Sequence, residues 1–185
     1  MTRRLLLVRH PPVEDHYRGY CYGVSDIALG VTGFARAAEL AIRLAAEPIT
    51  LLFHSGLSRA AAVTDRITAL TGQPAVADTR LCERDFGSWE LRPWAAIYAE
   101  SGNAMDGMLD DPTGWRPPGG ETTYEMRDRV LAWYRALPDA GTIVAVAHGG
   151  PIAALRGTLT GVPVRGWLKL VPEPGSMISW EDNPS

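Results

Sequence analysis

Three short apolar runs, Leu5–Val8, Thr50–Phe53 and Thr142–Ala147, alternate along the chain with stretches of helical spacing. Unbroken apolar runs of this length fit strands covered on both faces, and their alternation with helices is the pattern of an α/β fold. One helix is expected around Phe34, Ala37, Ala41 and Leu44, with Thr32 as its cap. A second follows at Ala60, Val63, Ile67 and Leu70 and stops near Gly72 and Pro74. A weaker strand is expected at Ala75–Ala77. Thr122-x-x-Glu125 reads as a capping box that opens a helix with the apolar face Met126, Val130, Trp133, Leu137. A last helix should run from Pro151 to about Thr160, and further strands should lie near Leu168–Val171 and Met177–Trp180.

No repeat or charged linker divides the 185 residues, so a single domain over residues 1–185 is expected. The 19 Gly and 14 Pro mark a loop-rich chain. Many of them fall between residues 11 and 33 and in a loop or lid insertion around residues 101–120, where specificity is expected to reside. A net charge of −3 leaves no basic excess for a nucleic-acid backbone. Cys21 and Cys82 are too few for a disulfide framework and match no zinc spacing. No run approaches the ~18 apolar residues of a membrane span. The four apolar residues after Met1–Arg4 are too short for a signal peptide, so a cytoplasmic protein without membrane or nucleic-acid partners is expected.

The chemistry gathers where the runs end. The first run ends in Arg9-His10, the second in His54-Ser55 with Arg59 four residues on, and the third in His148-Gly149-Gly150. In open α/β sheets, ligands bind beyond the carboxyl ends of the strands. Parallel strands would bring these residues to one edge, and the helix near Pro151 would aim its amides and dipole at the same place. Such an edge suits a small, highly charged anion, phosphate above all. The four histidines show no metal-ligand spacing, and neither a P-loop nor a Gly-x-Ser-x-Gly elbow is present. A reaction without metal or cofactor is therefore expected.

Six motifs in order resemble the histidine phosphatases, the phosphoglycerate mutase-like superfamily. They are Leu6-Leu-Val-Arg9-His10; Gly23, Asp26, Leu29 and Gly33; Ser55-Gly-Leu-Ser-Arg59-Ala60; Leu81, Glu83, Phe86, Gly87, Trp89 and Glu90; Pro118-Gly-Gly-Glu121-Thr; and Val146-Ala-His148-Gly-Gly. The resemblance implies a three-layer α/β/α sandwich with a mostly parallel central sheet. It also implies phosphomonoester hydrolysis through a phosphohistidine on His10. Arg9, Arg59, His148 and Gly149 would bind the phosphate, and Glu83 would act as general acid and base. Spacing alone leaves Asp85, Glu90 and Glu121 as competing carboxylates. Ser55 and His16 are further candidates, His16 standing where many members carry an Asn that reaches the phosphate. His54 is expected to be structural.

The chain departs from the family at Pro11-Pro12, where Gly and Glu or Gln are usual, and Pro11 has no N–H to offer a phosphate. Two other readings stay open: mutase-type transfer to a second hydroxyl, and binding of a phosphorylated ligand without turnover. The short length and Tyr20-Cys-Tyr-Gly23 resemble the branch that contains α-ribazole phosphatases. That implies α-ribazole 5′-phosphate or another small phosphometabolite as substrate. Trp89, Trp94, Trp115, Tyr20 and Tyr22 are candidates to line a pocket for a flat base. The oligomeric state stays open, a dimer included, with Trp167 and Trp180 fitting an interface or the sheet.

Overall fold

The apolar runs become the middle of a sheet because each presents apolar side chains to both faces. In the computed structural model, which describes residues 2–182, Leu5 and Leu7 pack with Ile143 and Ala145 on one side. Leu6 and Val8 pack with Val144 and Val146 on the other. A strand of period two buried on both faces needs a helical layer on each side, and that is the architecture found.

Five strands, β1 (Arg3–Arg9), β2 (Ile49–His54), β3 (Ala75–Ala77), β4 (Gly141–Ala147) and β5 (Met177–Asp182), form one sheet in the order β3-β2-β4-β1-β5. β1, β2, β3 and β4 run parallel, and β5 closes the edge antiparallel to β1. Helices α1 (Val31–Ala45) and α2 (Ser58–Thr71) supply one covering layer through Ala37, Leu40, Leu44, Val63 and Ile67. The other layer comes from α5 (Thr123–Arg135) and α6 (Gly149–Leu159), through Val130, Trp133, Ile152 and Leu155. Between β3 and α5 stand two smaller helices, α3 (Trp94–Ser101) and α4 (Gly107–Asp110). Among the described residues, no helix is long and apolar enough to cross a membrane.

The capping box at Thr122 and Glu125 is present, and Gly72 ends α2 in the left-handed conformation at φ +75°. Four expectations are corrected. Residues 168–171 are not a strand: Val164–Leu170 forms a 3₁₀ helix that turns Trp167 inward against α6, while β5 takes the sheet edge. The cap of α1 is Gly30, not the exposed Thr32. Leu70 faces solvent. The 101–120 insertion contains α4, and α3 just before it was not expected.

The register sets the stage for chemistry. Arg9 pairs with Ala147, and His54 pairs with Val146, so β1, β4 and β2 end side by side.

Candidate active site

His10 follows β1 directly and is buried. Its Nδ1 lies 2.7 Å from the Pro11 carbonyl oxygen. A carbonyl only accepts, so Nδ1 carries the proton and Nε2 keeps its lone pair. Burial pushes the imidazole down to about 3, helped by the positive charge of Arg59 and then of Arg9, against the Pro11 hydrogen bond. His148 caps α6, is fully buried, and its ring centre lies 5.0 Å from that of His10. Burial, and then the neighbouring His10 and Arg59, hold it well below the ordinary range. Both rings are neutral at pH 7.

Arg9 and Arg59 flank this pair. Arg9 Nη1 donates to the Pro172 carbonyl at 2.7 Å. Arg59, in the first turn of α2 and fully buried, spends its Nη groups on backbone carbonyls of Ser25 (2.7 Å), Gly23 (2.6 Å) and Tyr22 (3.4 Å). The same loop packs against Arg84 because residue 23 has no Cβ, which would meet the Arg84 carbonyl oxygen at 1.8 Å. Arg9 Nε, Arg59 Nε and His148 Nδ1 are buried without a hydrogen-bond partner in the chain. Unsatisfied buried polar groups are costly, so three at one strand edge mark a place built for a polar guest.

The structure separates the four competing carboxylates. Glu83 lines the cavity in front of His10 and accepts from Gly150 N at 3.2 Å and Arg84 N at 2.9 Å. Glu90 accepts from the amides of Val24, Ser25 and Phe86 and from the Ser25 hydroxyl. Glu121 pairs with Arg129 at 2.6 Å and accepts from Asp85 N. Asp85 turns back on Gly87 N. Neither Asp85, Glu90 nor Glu121 lines the cavity.

Other expected residues lie elsewhere. Ser55 is buried behind His148, its Oγ 2.8 Å from Nε2. The Gly150 amide is taken by Glu83, and Gly149 is buried against Arg9 and Val171, outside the cavity lining. The Gly150 amide of α6 therefore serves the carboxylate. His16 is exposed and stacks on Tyr20 at 5.7 Å, also outside the lining. His54 accepts from the Gly56 amide and stays structural. Trp94, Tyr20 and Tyr22 reach the cavity, whereas Trp89 and Trp115, 5.8 Å apart, pack with Cys21 and Ile97 outside its lining. Trp180 lies in β5, and Trp167 lines the cavity with its Nε1–H on the Val162 carbonyl.

Sequence reasoning missed Arg84 as a cavity residue. It is buried, donates to Thr123 Oγ1 at 2.9 Å and to the Glu121 carbonyl at 3.4 Å, and faces the cavity. Its place directly after Glu83 was the available signal. The whole cavity measures about 410 Å³, far more than a phosphate group needs.

The profile of the histidine phosphatase superfamily (branch 1) matches residues 5–182. A glucosyl-3-phosphoglycerate phosphatase of Mycolicibacterium vanbaalenii is 33% identical over 176 residues, covering 90% of this chain and 78% of that protein. The native structure of a mycobacterial glucosyl-3-phosphoglycerate phosphatase superposes with a TM-score of 0.85 at 30% identity, covering 98% of this chain and 91% of the other. The α-ribazole phosphatase of Shigella flexneri shares the fold at a TM-score of 0.80 and 24% identity, over 95% of this chain and 89% of its own. With its strand-end histidines and arginines in one crevice and this match along nearly its whole length, the chain belongs to the histidine phosphatase superfamily, branch 1.

Proposed function

We propose that the chain hydrolyses phosphomonoesters through a phosphohistidine on His10. The observation that carries this reading is that Arg9 and Arg59, each with a buried unpartnered Nε, line the cavity with His10, whose Nε2 is free. His148, with an unpartnered Nδ1, lies outside the lining with its ring centre 5.0 Å from that of His10. A phosphoryl group supplies oxygens for such donors, and their charge is worth most where water is excluded.

In the first step the Nε2 lone pair of His10 forms an N–P bond as the ester P–O bond breaks. The leaving oxygen takes a proton from Glu83. In the second step water attacks phosphorus, Glu83 accepts its proton, and the N–P bond breaks to release inorganic phosphate. Arg9 and Arg59 stabilise the charge on the phosphoryl oxygens, and neutral His148 donates without adding a charge. The proposal extends to substrates with a small metabolic alcohol. The phosphate site alone does not choose between the substrate in the relatives' name, glucosyl-3-phosphoglycerate, and α-ribazole 5′-phosphate, since both end in the same phosphate.

The test is a base-quenched reaction with a ³²P-labelled phosphomonoester. A base-stable, acid-labile label on the chain together with phosphate release is expected, and His10→Ala should lose both. Turnover by His10→Ala would sink the assignment. Tight binding without label or release would make this a binding protein, and delivery of the label to a second alcohol would make it a mutase.

A further inference from the structure

We propose that the alcohol part of the substrate is an apolar body and not a second anion; this rests on the phosphomonoester reading above. The two ends of the cavity differ in kind. Its deep end holds Arg9, His10, Arg59 and Glu83, which account for one phosphoryl group. Beyond them the wall turns apolar. Trp94 stands edge-on to Phe86, with centroids 5.4 Å apart at 82°. Met105, Met108 and Leu109 continue that wall from the insertion.

At the mouth, Tyr98 and Leu168 come from two separate elements and are 51% and 65% exposed. Large apolar side chains left open at the rim of a cavity are covered favourably by an apolar ligand and unfavourably by a hydrated one. Charge points the same way. Of the lining residues beyond the phosphate end, Arg84 is the one cation, and it is buried on Thr123 and the Glu121 carbonyl. Asp106, exposed in the same lining, sets a like charge against any carboxylate that enters. A phosphoglycerate-type alcohol would place its carboxylate among these apolar walls.

The experiment compares two non-hydrolysable phosphonates of equal length by calorimetry on the intact protein. These are 2-phenylethylphosphonate and 2-carboxyethylphosphonate, which differ only in the terminal group. The expected result is a Kd at least ~10-fold lower for the phenyl compound. Leu168→Asn, a neutral polar change at an exposed position where folding is not at stake, should cut that preference at least ~3-fold by weakening the phenyl compound. Equal affinities, a preference for the carboxylate, or no binding of either compound overturns the proposal. Binding needs no turnover, so the two readings fail separately. Phenyl preference without hydrolysis of any ester removes the hydrolase and keeps this inference. Hydrolysis with carboxylate preference does the reverse.

Discussion

His10 Nδ1 is held 2.7 Å from the carbonyl oxygen of Pro11, its own neighbour in the chain. The residue that departs from the family pattern thus orients His10, the proposed nucleophile, through a group every residue possesses. The missing N–H of Pro11 matters only if a phosphate needed it, and the donors gathered around His10 come from Arg9, Arg59 and His148.

Pro11→Gly should therefore leave phosphatase activity within about threefold of wild type, because the carbonyl remains. The cost should appear in stability, about 0.5–1 kcal/mol, as the unfolded chain gains freedom. Paired kinetics and urea unfolding check both halves. A loss of activity of ~100-fold would mean that the ring of Pro11, and not its carbonyl, positions His10.

Glu90 and Arg59 hold one loop between them without touching each other. Glu90 accepts from the Val24 and Ser25 amides, at 3.1 Å each, and Arg59 donates to the Ser25 and Gly23 carbonyls. Glu90→Gln replaces one accepting oxygen by an NH₂ that faces a donor. We expect a stability loss of about 1–3 kcal/mol. We also expect KM for p-nitrophenyl phosphate to rise several-fold with a smaller change in kcat, since the Arg59 guanidinium, proposed above to hold the phosphate, shifts while His10 does not. An unchanged KM in a destabilised variant would reduce Glu90 to a purely structural role.

The strand-end residues were legible because parallel pairing is a rigid rule: once Leu5–Val8, Thr50–Phe53 and Thr142–Ala147 are strands, their last residues must meet. The choice among carboxylates was legible only through motif position, because their partners are tertiary. Glu90 meets amides some 65 residues away, and Glu121 meets Arg129 one helix face on. Helix α3 escaped because it is apolar on two sides. Trp94, Ile97 and Tyr98 share one stripe at i, i+3 and i+4, but Ala95, Ala96 and Ala99 fill the opposite face, so in a helix of eight residues the stripe does not stand out. Residues 168–171 looked like a strand because Leu168, Leu170 and Val171 are apolar for a different reason, the cavity wall and the packing on α6.

Glu83→Gln tests the proton donation proposed for Glu83 apart from the proposed attack by His10. A p-nitrophenolate leaves without a proton, whereas an alkoxide does not. The variant should lose on the order of 10²-fold in kcat/KM on an alkyl phosphate and far less on p-nitrophenyl phosphate. Equal losses on both would transfer the acid role to another group.

Leu91 carries φ 62°, and it is the only non-glycine residue with positive φ among those described. Its side chain is half exposed, so little packing offsets the strain. Leu91→Gly should raise stability by about 0.5–1 kcal/mol, the left-handed cost less the entropy glycine gains on unfolding. Thermal or urea unfolding reads this directly, and a destabilised variant would show that the exposed leucine packs better than it looks.

Acid should unfold this protein through its two neutral histidines. His10 is held near 3 in the folded chain against an ordinary value of 6.5, and His148 is also held well down. Between those values the unfolded chain binds protons that the folded chain refuses. The stability they allow is complete above about pH 6.5 and is lost as pH falls toward 3. The slope is about 1.4 kcal/mol per pH unit for each histidine that stays neutral. Urea unfolding at pH 7.5 and pH 5 measures it, and His10→Asn should flatten the dependence by one histidine's share. Inorganic phosphate should flatten it too, because an anion between Arg9 and Arg59 favours protonated His10 and so lets the folded state take up the proton. A pH-independent stability over this range, or a slope that phosphate leaves untouched, would mean that these rings are not held neutral by burial beside the arginines.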